Sequence, residues 1–487
     1  MKLTEEQQNI ISCDLQDGQV LKVLAFAGTG KTTTLIEYAL AHPEKRMLYV
    51  AFNKSVQLEA AAKFPSNVVC KTSHALAFAC FGAKHRNRLV PGFKANTVMN
   101  ALDLDNYEDA KFAIDTLNNY LVSADPKVTR RHIPGIARQH YEQAGKPMPN
   151  LVVVTNRLGR LMCDGSNPEI GMLHDGYLKL YQLSRPRLNY DILLLDEAQD
   201  VNPCTADIIL SQEGVSKIVV GDHHQQIYSF RGSRDSLKTI KADYTHYLTN
   251  SFRFNKNIAR AANMILRCFK GEKNGVRGFR QKTIDGESSQ YTMIARTNAK
   301  IFDEAVSLLK KKKKIAFVGG IAGYRFNRIL DCYHLYINCK HAVRDPYIRS
   351  FESFGTMEAY ADTVEDFELS SMSKVVANYR HKIPSLVQTI KDEAVDVSDA
   401  DVILVTGHKA KGLEWPVVSL CDDFPDLVVD KEIIAPDELE PDEFNLLYVS
   451  MTRAMESLRF APGCSVIEFM ERYQELRRGE KAQSSAK

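Results

Sequence analysis

Residues 21–36 read Leu-Lys-Val-Leu-Ala-Phe-Ala-Gly-Thr-Gly-Lys-Thr-Thr-Thr-Leu-Ile. The apolar run Val23 to Phe26 predicts a buried strand. It stops at a glycine turn, and Lys31-Thr32-Thr33 opens a helix through Leu35, Ile36, Tyr38 and Leu40. Strand, glycine turn and helix form the setting in which Gly-Lys-Thr means phosphate binding. Gly28 and Gly30 let the backbone approach a polyphosphate with no Cβ in the way. The helix start offers N–H groups and the positive end of its dipole. The expected cradle is Ala27, Gly28, Thr29, Gly30, Lys31, Thr32 and Thr33. Lys31 reaches for the β- and γ-phosphates, and Thr32 is a Mg²⁺ ligand. The strict pattern places glycine six residues before Lys31, where Ala25 stands, so Gly28 is expected to restore that freedom. A plain glycine turn between core elements is the weaker alternative.

A length of 487 residues suggests about three domains. The 44% hydrophobic content is that of a globular protein. A net charge of +3 carries no case for nucleic acid by itself, so motifs must make it. Ten scattered cysteines, with no Cys-x-x-Cys pair, suggest reduced thiols of an intracellular protein, in cytoplasm or nucleoid, or in a nucleus. The polar start, Met1 to Gln8, is not expected to be a signal peptide. No run of 18 apolar residues occurs, so no membrane contact is expected.

Thr4 and Gln7 predict a capped helix start. Gln7 is then either part of a plain helix or an amide that reads an adenine edge. Met47 to Phe52 and Val68 to His74 contain further short apolar runs. Strands separated by helical stretches argue for a parallel α/β sheet. Ligands bind at the carboxyl ends of such strands, where Phe52, Asn53, Thr72 and His74 fall. Phe52 is either core packing or a platform for a nucleic-acid base. From about residue 81 to 145 the pattern is helical (Leu102, Ala110, Phe112, Ala113, Leu117, Leu121). Basic clusters flank it at Lys84, His85, Arg86, Arg88 and Lys94, and at Lys127, Arg130, Arg131 and His132. They are either phosphate contacts or solvated faces.

Tyr190 to Leu195 predicts a strand that ends in Asp196-Glu197-Ala198-Gln199-Asp200. Asp196 would hold Mg²⁺, and Glu197 would act as general base toward water. Val219-Val220-Gly221-Asp222 leads to His223 and His224. These adjacent histidines cannot easily face one ion, so no metal is assigned to them. Gln225 is placed to sense the γ-phosphate or water. Tyr228 and Phe230 alternate with polar residues as stacking groups would, and Arg231 suits a phosphate. One loop would then touch ATP at its start and nucleic acid at its end, as coupled movement requires.

Ala-Phe-Ala-Gly-Thr-Gly-Lys-Thr, Leu-Leu-Leu-Asp-Glu-Ala-Gln-Asp and Gly-Asp-His-His-Gln-Gln-Ile-Tyr-Ser-Phe-Arg-Gly resemble motifs of the UvrD/Rep class of superfamily-1 DNA helicases. Leu248 to Arg253 resembles the fourth motif, which implies Phe252 on adenine and Arg253 on the γ-phosphate. Ala295-Arg296-Thr297-Asn298 ends another strand. Thr406 to Trp415 resembles the fifth motif, implying Glu414 on the ribose and His408 near DNA. Asn445 to Ala454 resembles the sixth, implying Arg453 as a second arginine finger. Such fingers contribute about 10³–10⁵ in rate in other phosphoryl-transfer enzymes.

Within that class the chain most resembles the helicase core of the F-box DNA helicase family, through Ala51 to Ser55, Val122 to Asp125, Arg349 to Phe354, and Asp422-Asp423-Phe424-Pro425. No F-box is expected ahead of Leu3, and ubiquitin-ligase recruitment is not implied.

The resemblance implies an α/β fold of two RecA-like P-loop domains with parallel sheets and inserted helical subdomains. The first motor domain is expected at 1–80 and 146–240, its helical insertion at 81–145. The second is expected at 241–339 and 398–465, with a small inserted subdomain at 340–397. A C-terminal helix and polar tail are expected at 466–487, with the helix over Glu468 to Leu476 and no fused nuclease domain. The lysine run Lys310 to Lys314 reads as a solvated helix end. The implied activity is ATP- and Mg²⁺-dependent 3′→5′ movement on single-stranded DNA and at single/double-strand junctions, in replication, recombination or repair. ATP would lie between the motor domains. Alternatives are a remodeller that strips proteins without unwinding, and an ATPase subunit partnered with a nuclease, a recombination protein or a defence complex.

Overall fold

The apolar run ahead of the glycine turn forms β1 (Val20–Ala25), which alternates between partly and fully buried residues. The coordinates are a computed structural model describing residues 3–143, 145–228, 236–280, 290–363 and 366–485. They divide into two units, Met1–Leu248 and Thr249–Lys487. In the first, β1 joins β2 (Met47–Ala51), β3 (Val68–Thr72), β4 (Ile192–Leu195), β5 (Ser216–Gly221) and β6 (Tyr244–Leu248). Their order is β3-β2-β4-β5-β1-β6, and every neighbouring pair is parallel. β2, β4 and β5 are buried along their whole length, as strands covered on both faces must be. The edge strand β6 buries only Leu248.

Alternation along each strand builds two cores. Tyr49, Leu194 and Ile218 face a core with Ile10, Leu35 and Tyr38, from the helices Glu5–Ile11 and Lys31–Ala41. Leu48, Leu193 and Val219 face the other, with Val98, Leu117, Leu158 and Leu178. The helices inserted between β3 and β4 therefore pack as a layer on this sheet, and Phe112, Ala137, Tyr141 and Leu151 form a second, smaller core among them. The helical block also runs beyond the expected end at 145. Leu151–Cys163 follows, its Leu151, Val154, Thr155, Leu158 and Met162 spaced to bury one face against Tyr107–Val122.

The second unit holds β7 (Tyr291–Ala295), β8 (Ile315–Phe317), β9 (Val402–Thr406), β10 (Trp415–Leu420) and β11 (Ala454–Phe460). The order β8-β9-β7-β10-β11 is again all parallel. Helices between β8 and β9 begin at Asn327, ahead of the expected 340, and end at Glu393. Cys332, Met357, Met372 and Val387 share one core with Met293, Phe317 and Leu404 of the sheet. Lys310 to Lys314 are exposed at the end of the helix Asn298–Lys310. The expected polar tail is helical: one helix runs Ser465–Ser485, because its Glu, Arg, Lys, Gln and Ala residues are good helix formers. Among the described residues no helix is long and apolar enough to cross a membrane.

Candidate nucleotide and nucleic-acid sites

β1 hands the chain to a turn in which Gly28 (φ 72°) and Gly30 (φ 79°) take the left-handed conformation. Ala25 ends the strand with its side chain in the core, so the replaced glycine of the strict pattern needs no special backbone there. The Thr29 hydroxyl donates to Phe26 O at 2.8 Å and folds the loop back on itself. Lys31 opens the following helix. Its Nζ lies 3.0 Å from both carboxylate oxygens of Glu197. Burial alone would lower the pKa of Lys31, but Glu197, Asp196 and Asp222 outweigh it and the net shift is upward. Thr32 Oγ1 donates to Asp196 Oδ2 at 3.2 Å, and Tyr49 Oη donates to the same oxygen at 2.9 Å. Burial and the neighbouring Glu197 push the Asp196 carboxyl up, while Lys31 and the Tyr49 hydroxyl hold it down. Thr33 is exposed, and Ala27 is buried in the turn.

Gln7 is buried and its amide is engaged at both ends. Oε1 accepts the Thr4 N–H at 3.0 Å, completing a capping box, and Nε2 donates to Thr34 Oγ1 at 3.1 Å. Thr34 in turn donates to Gly30 O at 2.9 Å. The Thr4 hydroxyl also donates to Oε1, at 3.4 Å, so Gln7 braces the phosphate loop with one amide N–H left over for a base.

Three features of this site were not read from the sequence. Glu197 sits at φ 49°, an uncommon and strained conformation for a non-glycine residue, common at functional sites. Gln199 is fully buried and bridges two loops: Nε2 donates to Glu197 Oε2 at 2.5 Å, and Oε1 accepts the Asp222 N–H at 3.0 Å. A Cβ on Gly221 would run into Gln199 Oε1, so that glycine permits the approach. Asp222 holds the Gln225 amide at 2.7 Å and caps the turn His223–Gln225. The signals were the Gln in Asp-Glu-Ala-Gln-Asp and the Gly-Asp at the end of β5, but only tertiary packing joins them.

A cavity of about 340 Å³ opens beside this cluster. Phe52, Ser73, His74, Asp200, Asn202 and Tyr228 line it. Phe52 is exposed by 48%, which removes the core-packing reading. His74 Nε2 lies 3.1 Å from Asp175 Oδ1. Asn53 and Thr72 do structural work nearby: their side chains cap the helices Lys54–Lys63 and Ser73–Cys80. Phe230 and Arg231 lie outside the described residues.

In the second unit Arg253 Nε pairs with Glu414 Oε2 at 2.7 Å, and its Nη1 donates to Thr452 O at 3.4 Å. Phe252 is half-buried, its ring 6.3 Å from that of Phe279. Arg453 is 1% exposed. Its Nε donates to Val449 O at 2.9 Å and its Nη1 to Leu413 O at 3.2 Å. The structure therefore gathers Arg253, Glu414 and Arg453 into one cluster within this unit. Glu414, expected on a ribose, faces Arg253, and Arg453, expected as a finger, is packed among carbonyls. His408 is half-buried in the short helix Gly407–Ala410 after β9.

A phosphate loop beside an Asp-Glu strand end, followed by a second parallel α/β unit carrying the arginine motifs, defines the two-unit P-loop fold of UvrD-like helicases. Residues 7–231 match an AAA domain, and residues 350–461 match the UvrD-like helicase C-terminal domain. The chain is homologous to the F-box DNA helicases. It is 36% identical to F-box DNA helicase 1 of Gallus gallus, over 94% of this chain and 49% of that protein. It is 31% identical to F-box DNA helicase protein 1 of Schizosaccharomyces pombe, over 94% of this chain and 57% of that one. ATP-dependent DNA helicase PcrA of Leuconostoc citreum is 26% identical over 31% of this chain and 25% of its own length. The chain thus spans about half the length of the two F-box relatives.

Proposed function

We propose that this chain is an ATP-dependent DNA helicase or single-strand DNA translocase that moves 3′→5′. One observation carries the reading: the two loops that supply the acidic cluster also supply the Phe52 cavity. The β4 loop gives Asp196 and Glu197 to the cluster and Asp200 and Asn202 to the cavity. The loop after β5 gives Asp222 and Gln225 to the first and Tyr228 to the second. A change at the phosphates is thereby transmitted to the nucleic-acid grip through a few bonds, with Gln199 tying the loops together.

In this reading Lys31 exchanges its Glu197 partner for the β- and γ-phosphates when ATP binds. Glu197, released and still held by Gln199, orients the attacking water and takes its proton. Thr32 Oγ1 and the Asp196 carboxylate already converge within 3.2 Å, an oxygen pair that suits a hydrated Mg²⁺. Mg²⁺ would supply charge neutralisation at the phosphates. Phe252 and Gln7 would meet adenine, Glu414 the ribose, and Arg253 and Arg453 the transition-state charge. Phe52, His74 and Tyr228, with Phe230, Arg231 and His408, would hold the single strand by stacking and phosphate contact. The direction rests on likeness to UvrD-like enzymes.

The test is ATP turnover with and without single-stranded DNA, beside unwinding of 3′-tailed and 5′-tailed duplexes. Stimulation by the single strand and opening of the 3′-tailed duplex alone are expected. Turnover indifferent to DNA overturns the translocase reading, and opening from 5′ tails alone overturns the direction.

A further inference from the structure

We propose that the second unit carries its own single-stranded nucleic-acid site, a basic groove along the helix Lys256–Lys270, separate from the Phe52 cavity. This helix is strongly two-faced. Ile258, Ala262, Ile265, Leu266 and Phe269 are buried. Lys256, Arg260, Asn263 and Arg267 recur every three or four residues on the other side, a single stripe on a helix surface. That stripe lines a cavity of about 950 Å³ together with Arg277, Phe279 and Tyr473.

Five cations line the cavity, since Arg280 joins the four on the helix and at Arg277. Arg280 pairs with Glu456 at 2.9 Å, and its shielded Nε has no hydrogen-bond partner among the described residues. Among the described residues Lys256, Arg260, Arg267 and Arg277 make no ion pair. Like charges gathered around a concavity focus a positive potential that a polyanion relieves.

The wall opposite the stripe in sequence is held rigidly. Asn263 clamps Val276 through both its amide atoms, each at 2.9 Å. Gly278 passes so close to the Asn255 carbonyl that a Cβ would collide with it. Phe279 N donates to Ser251 O at 2.9 Å and Arg280 N to Phe254 O at 3.2 Å. On this fixed backbone the Phe279 ring stays 54% exposed. An exposed ring held among unpaired cations suits alternating bases and phosphates. An acidic peptide would need the cations but gives the ring no partner. From Lys256 to Arg267 the stripe runs about 16 Å at 1.5 Å per residue, which exceeds one nucleotide.

The test uses the full chain and a single-stranded 20-mer carrying 5-iododeoxyuridine. Photocrosslinked adducts are expected at Phe279 or Tyr473. The double variant R260E/R267E should lose them and lower the slope of log affinity against log salt by about 1.4, two single-strand phosphates' worth. Its ATP turnover without DNA should be unchanged, and circular dichroism should match the parent. Adducts confined to the Phe52–Tyr228 region with an unchanged salt slope would overturn the groove alone. Failure of the parent chain to bind the oligonucleotide would overturn the translocase reading as well. If R260E/R267E lost binding of polyglutamate but kept its DNA adducts and slope, the groove would belong to an acidic peptide and the proposal would fall.

Discussion

The turns that leave β1 and β7 solve the same problem in opposite ways. Each follows an inner strand of a parallel sheet, where ligands bind in such folds. After β1 the chain takes two left-handed glycines and brings Lys31 to an acidic cluster. After β7 the chain holds an anion of its own. The Asp423 carboxylate accepts the N–H of Arg296 at 2.9 Å and of Thr297 at 2.8 Å, and the Thr297 hydroxyl at 2.9 Å. The Arg296 side chain is bound twice by Glu443. A turn whose amides already hold a carboxylate has nothing to offer a phosphate. One scaffold thus yields a glycine turn that presents a lysine and a turn sealed by its own carboxylate, and the residues of the turn make the difference.

The widest gap between the two units should be chemical. Glu197→Gln keeps the shape and an acceptor for Gln199 but removes the carboxylate proposed as the base. Turnover should fall about 10²–10⁴-fold, the range for a general base, while ATP affinity is retained. Steady-state ATPase beside equilibrium nucleotide binding measures both. A variant that still turns over near the parent rate would place the base elsewhere and erase the contrast between the turns.

The next effect separates the two arginines. Arg453→Ala strips donors from Val449 O and Leu413 O and empties a buried site. It should destabilise the second unit by about 2–4 kcal/mol. The side chain of Arg253 is 17% exposed and that of its partner Glu414 is 48% exposed, so Arg253→Ala should cost within about 1 kcal/mol of stability. Urea unfolding of both variants decides it. Equal midpoints would mean that Arg453 is not the structural member of the pair.

The sequence made the first unit's framework legible because buried strands read as continuous apolar runs and the glycine turn has a fixed grammar. Ile192–Leu195 and Val219-Val220 needed no tertiary information. β6 was harder: Tyr244–Leu248 faces solvent along most of its length and shows no apolar run. The end of the helical block was misread at 145 because Leu151–Cys163 gains its meaning only by packing on an earlier helix. The left-handed backbone of Glu197 and the Gln199 bridge were illegible for the same reason. A short motif names the residues, but the strain and the cross-loop bonds arise only when β4 and β5 lie side by side.

The smallest effect lies at the Phe52 cavity, where neighbours with similar sequence claims have different structural positions. Phe52 lines the cavity with nearly half its surface open, whereas the Asn53 side chain caps the next helix through Val56 N at 2.9 Å. Phe52→Ala should therefore weaken single-stranded DNA by about 1–3 kcal/mol, the value of one stacked base, and leave thermal stability unchanged. Asn53→Ala should do the reverse, costing about 1 kcal/mol of stability through the lost cap and sparing intrinsic affinity. Fluorescence anisotropy with an oligothymidine, read beside calorimetric unfolding, separates the outcomes. If Asn53→Ala matched Phe52→Ala in lost affinity at constant stability, the amide would be a DNA contact in its own right. The grip of the first unit would then extend from the cavity onto the start of that helix.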